Sequence, residues 1–179
     1  MAERQALIVI DVQQGLCEGP DAAHETDDLI ARINTLTTGA RAAGVPVIFV
    51  QHEGAGGYLA HGSREWQLPA ALLALPTDGY VRKTTPDSFL RTDLQERLVA
   101  LGVTRLVVCG MHTEFCVDTT TRRALALGYP VTLVADAHTS AGNAVLSAPQ
   151  VVAHHNATLT NISSFGPRAS AVTTNEVRW

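Results

Sequence analysis

Apolar residues fall along the chain in short unbroken runs, separated by longer stretches in which they recur every three or four positions. Residues 6–11 read ALIVID, a continuous apolar run closed by a carboxylate, the mark of a strand buried on both faces. Residues 45–51 (VPVIFVQ), 104–110 (TRLVVCG) and 131–136 (VTLVAD) repeat the pattern, and residues 80–83 and 169–174 are shorter strand candidates. Between them, Leu29, Ile30, Ile33, Leu36 and Ala40 predict a helix over 26–43, stopped by Gly44. Thr92 or Asp93 caps a second helix through Leu94, Leu98, Val99 and Leu101 to Gly102. A third spans about Glu114 to Leu127 and ends at Gly128. Ser147 caps a fourth, carrying Val151, Val152 and Leu159. Residues 54–64 hold four glycines and little periodicity, which predicts a long surface loop of the kind that often binds ligands. Strands alternating with helices predict an α/β fold: one domain over 1–179, in three α/β/α layers around a mostly parallel sheet of about six strands.

Composition narrows the class. The 179 residues are 46% hydrophobic and 17% charged, against about 25% charged in a typical globular chain. That excludes a disordered or fibrous protein. A net charge of −4 argues against nucleic acid as a partner, because phosphate binding needs a basic surface. No apolar run approaches the roughly 18–20 residues that cross a bilayer, so no membrane partner is expected. MAERQ runs directly into a strand pattern, so no secretory leader is expected either. With three cysteines, Cys17, Cys109 and Cys116, the expectation is a cytoplasmic protein with free thiols. Of thirteen basic residues, Lys83 alone is a lysine and the other twelve are arginines.

In open parallel sheets, ligands bind beyond the carboxyl ends of the strands. The residues at those ends are Asp11, Gln51, His52, Lys83, the stretch 110–116 and Asp136. An acid, a lysine and a thiol are the parts of an activated nucleophile. Cys116 stands close to the start of a helix, whose dipole and free N–H groups lower a thiol's pKa, and a nearby ammonium would lower it further. Each residue also has a plainer explanation. A cysteine in an apolar helix is usually a small core residue, an aspartate ending a strand often caps the next turn, and a lysine is usually solvated. Three such residues at three strand ends of one sheet favour chemistry.

Asp11 within IDVQQG, Lys83 within VRKTTPDSF and Cys116 within CGMHTEFCVDTTTRRALALGY resemble the isochorismatase-like cysteine hydrolases, over residues of about 5–160. The resemblance implies that fold and a catalytic triad. Cys116 would attack an amide-type carbonyl and form a thioester. Asp11 would serve as general base and then acid, and Lys83 would hold both by charge. It also implies a cis peptide between Met111 and His112, aiming the backbone N–H groups of His112 and Cys116 at one oxyanion. Family members assemble as homodimers or homotetramers.

Nicotinamidases of this family bind a metal through an Asp-x-His pattern, where this chain reads VQHEGAGGYLAH. His52 and His61, nine apart on a glycine-rich loop, do not have metal-ligand spacing, so neither a metal nor any other cofactor is expected. Loops beside the triad predict a substrate pocket of Gln13, Leu16, Gln51, His52, Tyr58, Trp66, His112 and Phe115. Trp66 is equally suited to be a packing anchor, and His112 either lines the pocket or packs. His154 and His155 read as helix surface and core edge. The expected reaction is hydrolysis of an amide, lactam or ureide bond in a small molecule. The alternatives are a vinyl-ether hydrolase of the isochorismatase type and a catalytically idle binding protein.

Overall fold

Six strands, β1 (Gln5–Ile10), β2 (Val47–His52), β3 (Gly79–Lys83), β4 (Arg105–Met111), β5 (Val131–Thr139) and β6 (Ala169–Val172), make one sheet in the order β3-β2-β1-β4-β5-β6. Every neighbouring pair is parallel. The computed structural model describes residues 3–20 and 22–179. Helices α1 (Gln14–Cys17), α2 (Thr26–Ala42), α3 (Leu94–Ala100), α4 (Asp118–Ala126) and α5 (Ala148–Asn161) lie between the strands, and a π-type turn, Thr113–Val117, leads into α4. Among the described residues, no helix is long and apolar enough to cross a membrane.

The three layers follow from the pleat of the strands. Alternate residues of β1 face opposite ways. Ala6, Ile8 and Ile10 join a core with Leu94 and Leu98 of α3, Ala124 and Leu125 of α4 and Leu159 of α5. Leu7 and Val9 join a second core with Leu29, Ile30, Ile33, Leu36 and Ala40 of α2. Both faces of the strand are therefore dry, which explains the unbroken apolar run. Truncating any of the leucines or isoleucines among them to alanine removes about 2–5 kcal/mol of stability.

Local signals set most helix ends. Asp27 and Asp28 in the first turn of α2 and Arg41 in its last complement the helix dipole. Ser147 and Gln150 form a capping box on α5, with Pro149 in its first turn. At α3, Thr92 accepts the Leu94 N–H while Asp93 pairs with Arg97.

Strand order reverses between β1 and β4. The chain leaves β1 for β2 and β3 on one side and continues from β4 to β5 and β6 on the other, so the carboxyl ends of β1 and β4 flank a crevice. Gly110, near the end of β4, has φ 117°, and a Cβ there would stand 2.1 Å from the Ile10 carbonyl oxygen. Only glycine permits β4 to approach β1 so closely. The β4–β5 register shifts between Val108 and Gly110, after which Gly110 pairs with His138 and Met111 with Thr139. This shift carries β5 on to Thr139, three residues beyond the expected strand. The predicted helix from Glu114 opens instead as the π-type turn, and α1 is a single turn with no periodic signal.

Candidate active site

Each member of the acid–lysine–thiol set stands just beyond or at the end of a strand. Asp11 follows β1 with φ 52°, a left-handed conformation that aspartate tolerates better than most residues but at some cost. Lys83 ends β3. Cys116 lies in the π-type turn after β4. The turn folds the thiol back toward β1, and the loop after Lys83 is fastened to the same region by Ser88, whose Oγ is 2.8 Å from Thr120 Oγ1 on α4.

The sheet brings the three together. Lys83 Nζ lies 2.7 Å from Asp11 Oδ2 and 3.1 Å from Cys116 Sγ, and donates to the Thr85 carbonyl at 3.1 Å. His52 Nδ1 is 3.4 Å from the same ammonium. Asp11 and Lys83 are each 1% exposed. Burial works against the charge on Lys83, but the adjacent Asp11 carboxylate and the sulfur outweigh it and hold its pKa above the ordinary value. Burial and then the Lys83 charge lower the pKa of His52, leaving it neutral near pH 7 and able to accept from the ammonium.

The thiol departs from expectation. Burial, reinforced by the Asp11 charge, pushes Cys116 up to about 12 despite the opposing effect of Lys83. The helix start and ammonium were expected to lower it. The reason lies in the pair beside it: the charge of Lys83 is balanced by Asp11, so no net positive charge remains to offset desolvation of a thiolate. Cys116 is held as a neutral thiol with a carboxylate within hydrogen-bonding reach.

A cavity of about 190 Å³ opens over Cys116, lined by Asp11, Leu16, His52, Leu59, His112 and Phe115. The peptide between Met111 and His112 is cis. His112 lines the cleft, and burial lowers its pKa. Leu59, from the glycine-rich loop, was not anticipated; its apolar character in a loop offered no signal.

The remaining predicted pocket residues lie elsewhere. Gln13 is fully buried and turned to backbone: its Nε2 donates to the carbonyls of His52 and Trp66, and its Oε1 accepts from the His52 N–H. Gln51 also donates to the Trp66 carbonyl. Trp66 packs edge-on against His61. Tyr58 donates its hydroxyl to the Gly15 carbonyl. Asp136 serves β5, accepting from the N–H and hydroxyl of Thr174. His155 bonds Val151 O within α5, and its neighbour His154 lies 3.3 Å from Thr158.

Asp11, His52 and Cys116 each offer a ligand atom, all within 4.8 Å of one another. A metal ion does not fit there, because the Lys83 ammonium already approaches all three groups to within 3.4 Å and a second cation would meet its charge. His61 is not part of this cluster.

The family model for the isochorismatase domain matches residues 5–176. A streptothricin hydrolase of Streptomyces noursei is 42% identical over 75% of this chain and 49% of its own length. The chain thus spans about half the length of that relative. A ureidoacrylate amidohydrolase of Methylobacterium radiotolerans is 32% identical over 89% of this chain and 73% of its own. Among solved structures, an isochorismatase from Pseudomonas putida superposes with a TM-score of 0.90 at 31% identity, covering 99% of this chain and 92% of that one.

Proposed function

The chain belongs to the isochorismatase family, and on that footing we propose that it hydrolyses a carbon–nitrogen bond of a small molecule, an amide, lactam or ureide, through a cysteinyl thioester. The observation that carries this reading is the Lys83 ammonium lodged between the Asp11 carboxylate and the Cys116 sulfur at 2.7 and 3.1 Å, beside a small, largely apolar cavity. An idle binding protein has no use for a buried ion pair against a thiol. The amidohydrolase among its relatives acts by name in the same bond class.

The chemistry runs as follows in this reading. Cys116 Sγ attacks the substrate carbonyl as its proton passes to Asp11, so the nucleophile is generated only as it reacts. The backbone N–H groups of His112 and Cys116 receive the oxyanion. Asp11 returns the proton to the departing nitrogen, the carbon–nitrogen bond breaks, and a thioester remains. Water then gives a proton to Asp11 and attacks the thioester, and the thiol leaves with that proton. Lys83 holds Asp11 and the sulfur in place by its charge. Leu16, Leu59 and Phe115 shape the cleft, with His52 and His112 as its neutral polar groups. In solution the protein is a homodimer or homotetramer in this reading, which sedimentation velocity tests.

The test is release of ammonia or amine from a panel of small amides, lactams and ureides. Turnover of at least one of them, lost in Cys116→Ser, is expected. Full activity in that variant overturns the mechanism.

A further inference from the structure

The turn that carries Cys116 is held from the far side by side chains of β5 and α5. Thr113, the first residue of that turn, is fully buried, and its Oγ1 lies 2.8 Å from His138 Nδ1. His138 Nε2 lies 2.9 Å from Asn156 Oδ1, and Asn156 Nδ2 donates to the Ala135 carbonyl at 3.0 Å. The chain of donors has one consistent assignment. A carbonyl only accepts, so the Asn156 amide nitrogen points to Ala135 and its oxygen faces His138. His138 Nε2 must then carry the proton and Nδ1 must accept, which makes the Thr113 hydroxyl the donor. A second tie lies next to it: Ser140 Oγ donates to Glu114 Oε1 at 2.7 Å, while the Ser140 carbonyl accepts the His24 N–H.

None of these residues lines the cleft over Cys116. Yet Thr113 directly follows His112 and begins the turn in which Cys116 sits, so the two N–H groups assigned to the oxyanion flank it. Rotation of that turn by an ångström would misdirect both. The register shift in β4 places His138 opposite Gly110, under the turn. We infer that His138 is a positioning residue: held in one tautomer by Asn156, it locks the Thr113 hydroxyl and thereby aims the backbone of the nucleophile turn at the substrate carbonyl. The inference rests on the acyl-transfer reading above.

The probe is p-nitrophenyl acetate, whose attack by Cys116 passes through the same oxyanion and releases p-nitrophenolate on acylation. Four variants separate the two ends of the chain. Asparagine at 138 places an amide oxygen near the Nδ1 position and keeps the Thr113 bond, whereas glutamine reaches Asn156 and loses it. Thr113→Ser keeps the hydroxyl and Thr113→Val deletes it. Thr113→Val and His138→Gln are expected to lower kcat about 10- to 100-fold with KM within twofold of wild type. Thr113→Ser and His138→Asn are expected within about threefold of wild type. The double variant Thr113→Val/His138→Gln should fall no further than either single, since both remove one tie. Wild-type rates in Thr113→Val and His138→Gln, or equal losses in all four variants, overturn the inference while leaving the acyl-transfer reading intact. If Thr113→Val does not fold, as judged by circular dichroism, the His138 pair decides, and equal rates in that pair overturn the inference. Wild-type protein that releases no more p-nitrophenolate than Cys116→Ser overturns the reading beneath it and the inference together.

Discussion

Asp11 and Lys83 form a buried ion pair, 2.7 Å between Oδ2 and Nζ, with neither side chain more than 1% exposed. Breaking such a pair leaves a charge without a partner in the interior, at about 3–5 kcal/mol. Lys83→Arg keeps the charge but not the shape. An ammonium fits between a carboxylate and a sulfur, and the wide guanidinium fork does not. The variant is expected to fold, to melt several degrees lower, and to lose at least about 100-fold in turnover of whichever amide the panel identifies. Turnover near wild type would remove Lys83 from the mechanism.

Asp11→Asn makes a less intuitive case. Removing the carboxylate frees the Lys83 charge to act on the sulfur alone, and removes the Asp11 charge that helps hold the thiol at about 12. The expected result is faster alkylation of Cys116 by iodoacetamide at pH 7, by about tenfold or more, together with loss of amide hydrolysis. In the wild type, by contrast, alkylation at pH 6–7 should be no faster than for a free cysteine. A rapid wild-type reaction would mean a preformed thiolate, contrary to the charge balance of the pair.

Gln13 makes three hydrogen bonds to backbone and lines no part of the cleft. Gln13→Leu should therefore lower stability by about 2–3 kcal/mol, because buried backbone groups lose their partners. KM should stay within twofold. A raised KM at unchanged urea midpoint would return Gln13 to a substrate-binding role.

Gly110→Ala places a methyl group 2.1 Å from the Ile10 carbonyl oxygen at a backbone φ of 117°. The neighbour is backbone and cannot turn aside. The variant is expected to be recovered unfolded or with β4 displaced and no activity, whereas Gly128→Ala, at φ 97° with nothing within 4 Å, should cost far less. Similar melting temperatures for the two would contradict the close approach of β1 and β4.

His138 governs the response to acid. Burial holds its pKa down to about 4, with His155 lowering it and Asn156 and Asp136 raising it. The unfolded side chain titrates near 6.5, so between these values the unfolded state takes up a proton that the fold refuses. Stability is full above about pH 6.5 and declines toward pH 4, by on the order of 3 kcal/mol from this residue. His52 and His112, also lowered by burial, act in the same direction. Urea midpoints measured from pH 7.5 to 4 should fall, and His138→Asn should flatten the fall. An unchanged slope in that variant would place the acid sensitivity elsewhere.

Much of the architecture was legible in the order of residues. Ile8 and Leu7 face opposite cores, so β1 had to be apolar throughout, and the run ALIVID says so directly. Asp11 and Lys83 were legible because a polar residue at the end of a strand is a local signal, and Cys116 because it stands between a strand-ending glycine and the start of a helical pattern. Asp136 gave the same signal and proved to hold Thr174, since β5 continues past it to Thr139. No local pattern reveals that a strand will run on after a register shift. Gln13 and Gln51 stand at or just beyond strand ends, as a pocket would require, yet both turn their amides to the Trp66 carbonyl.

What the sequence by itself determined is the six strands and the longer helices, their parallel layering and the acid, lysine and thiol near the strand ends, because periodicity and strand ends are properties of neighbours along the chain. Only the tertiary structure decided which polar side chains face the cleft, that His138 grips Thr113 from another strand, and that Cys116 rests as a neutral thiol. Those outcomes depend on distances of about 3 Å between residues far apart in sequence, where desolvation and charge balance set the result.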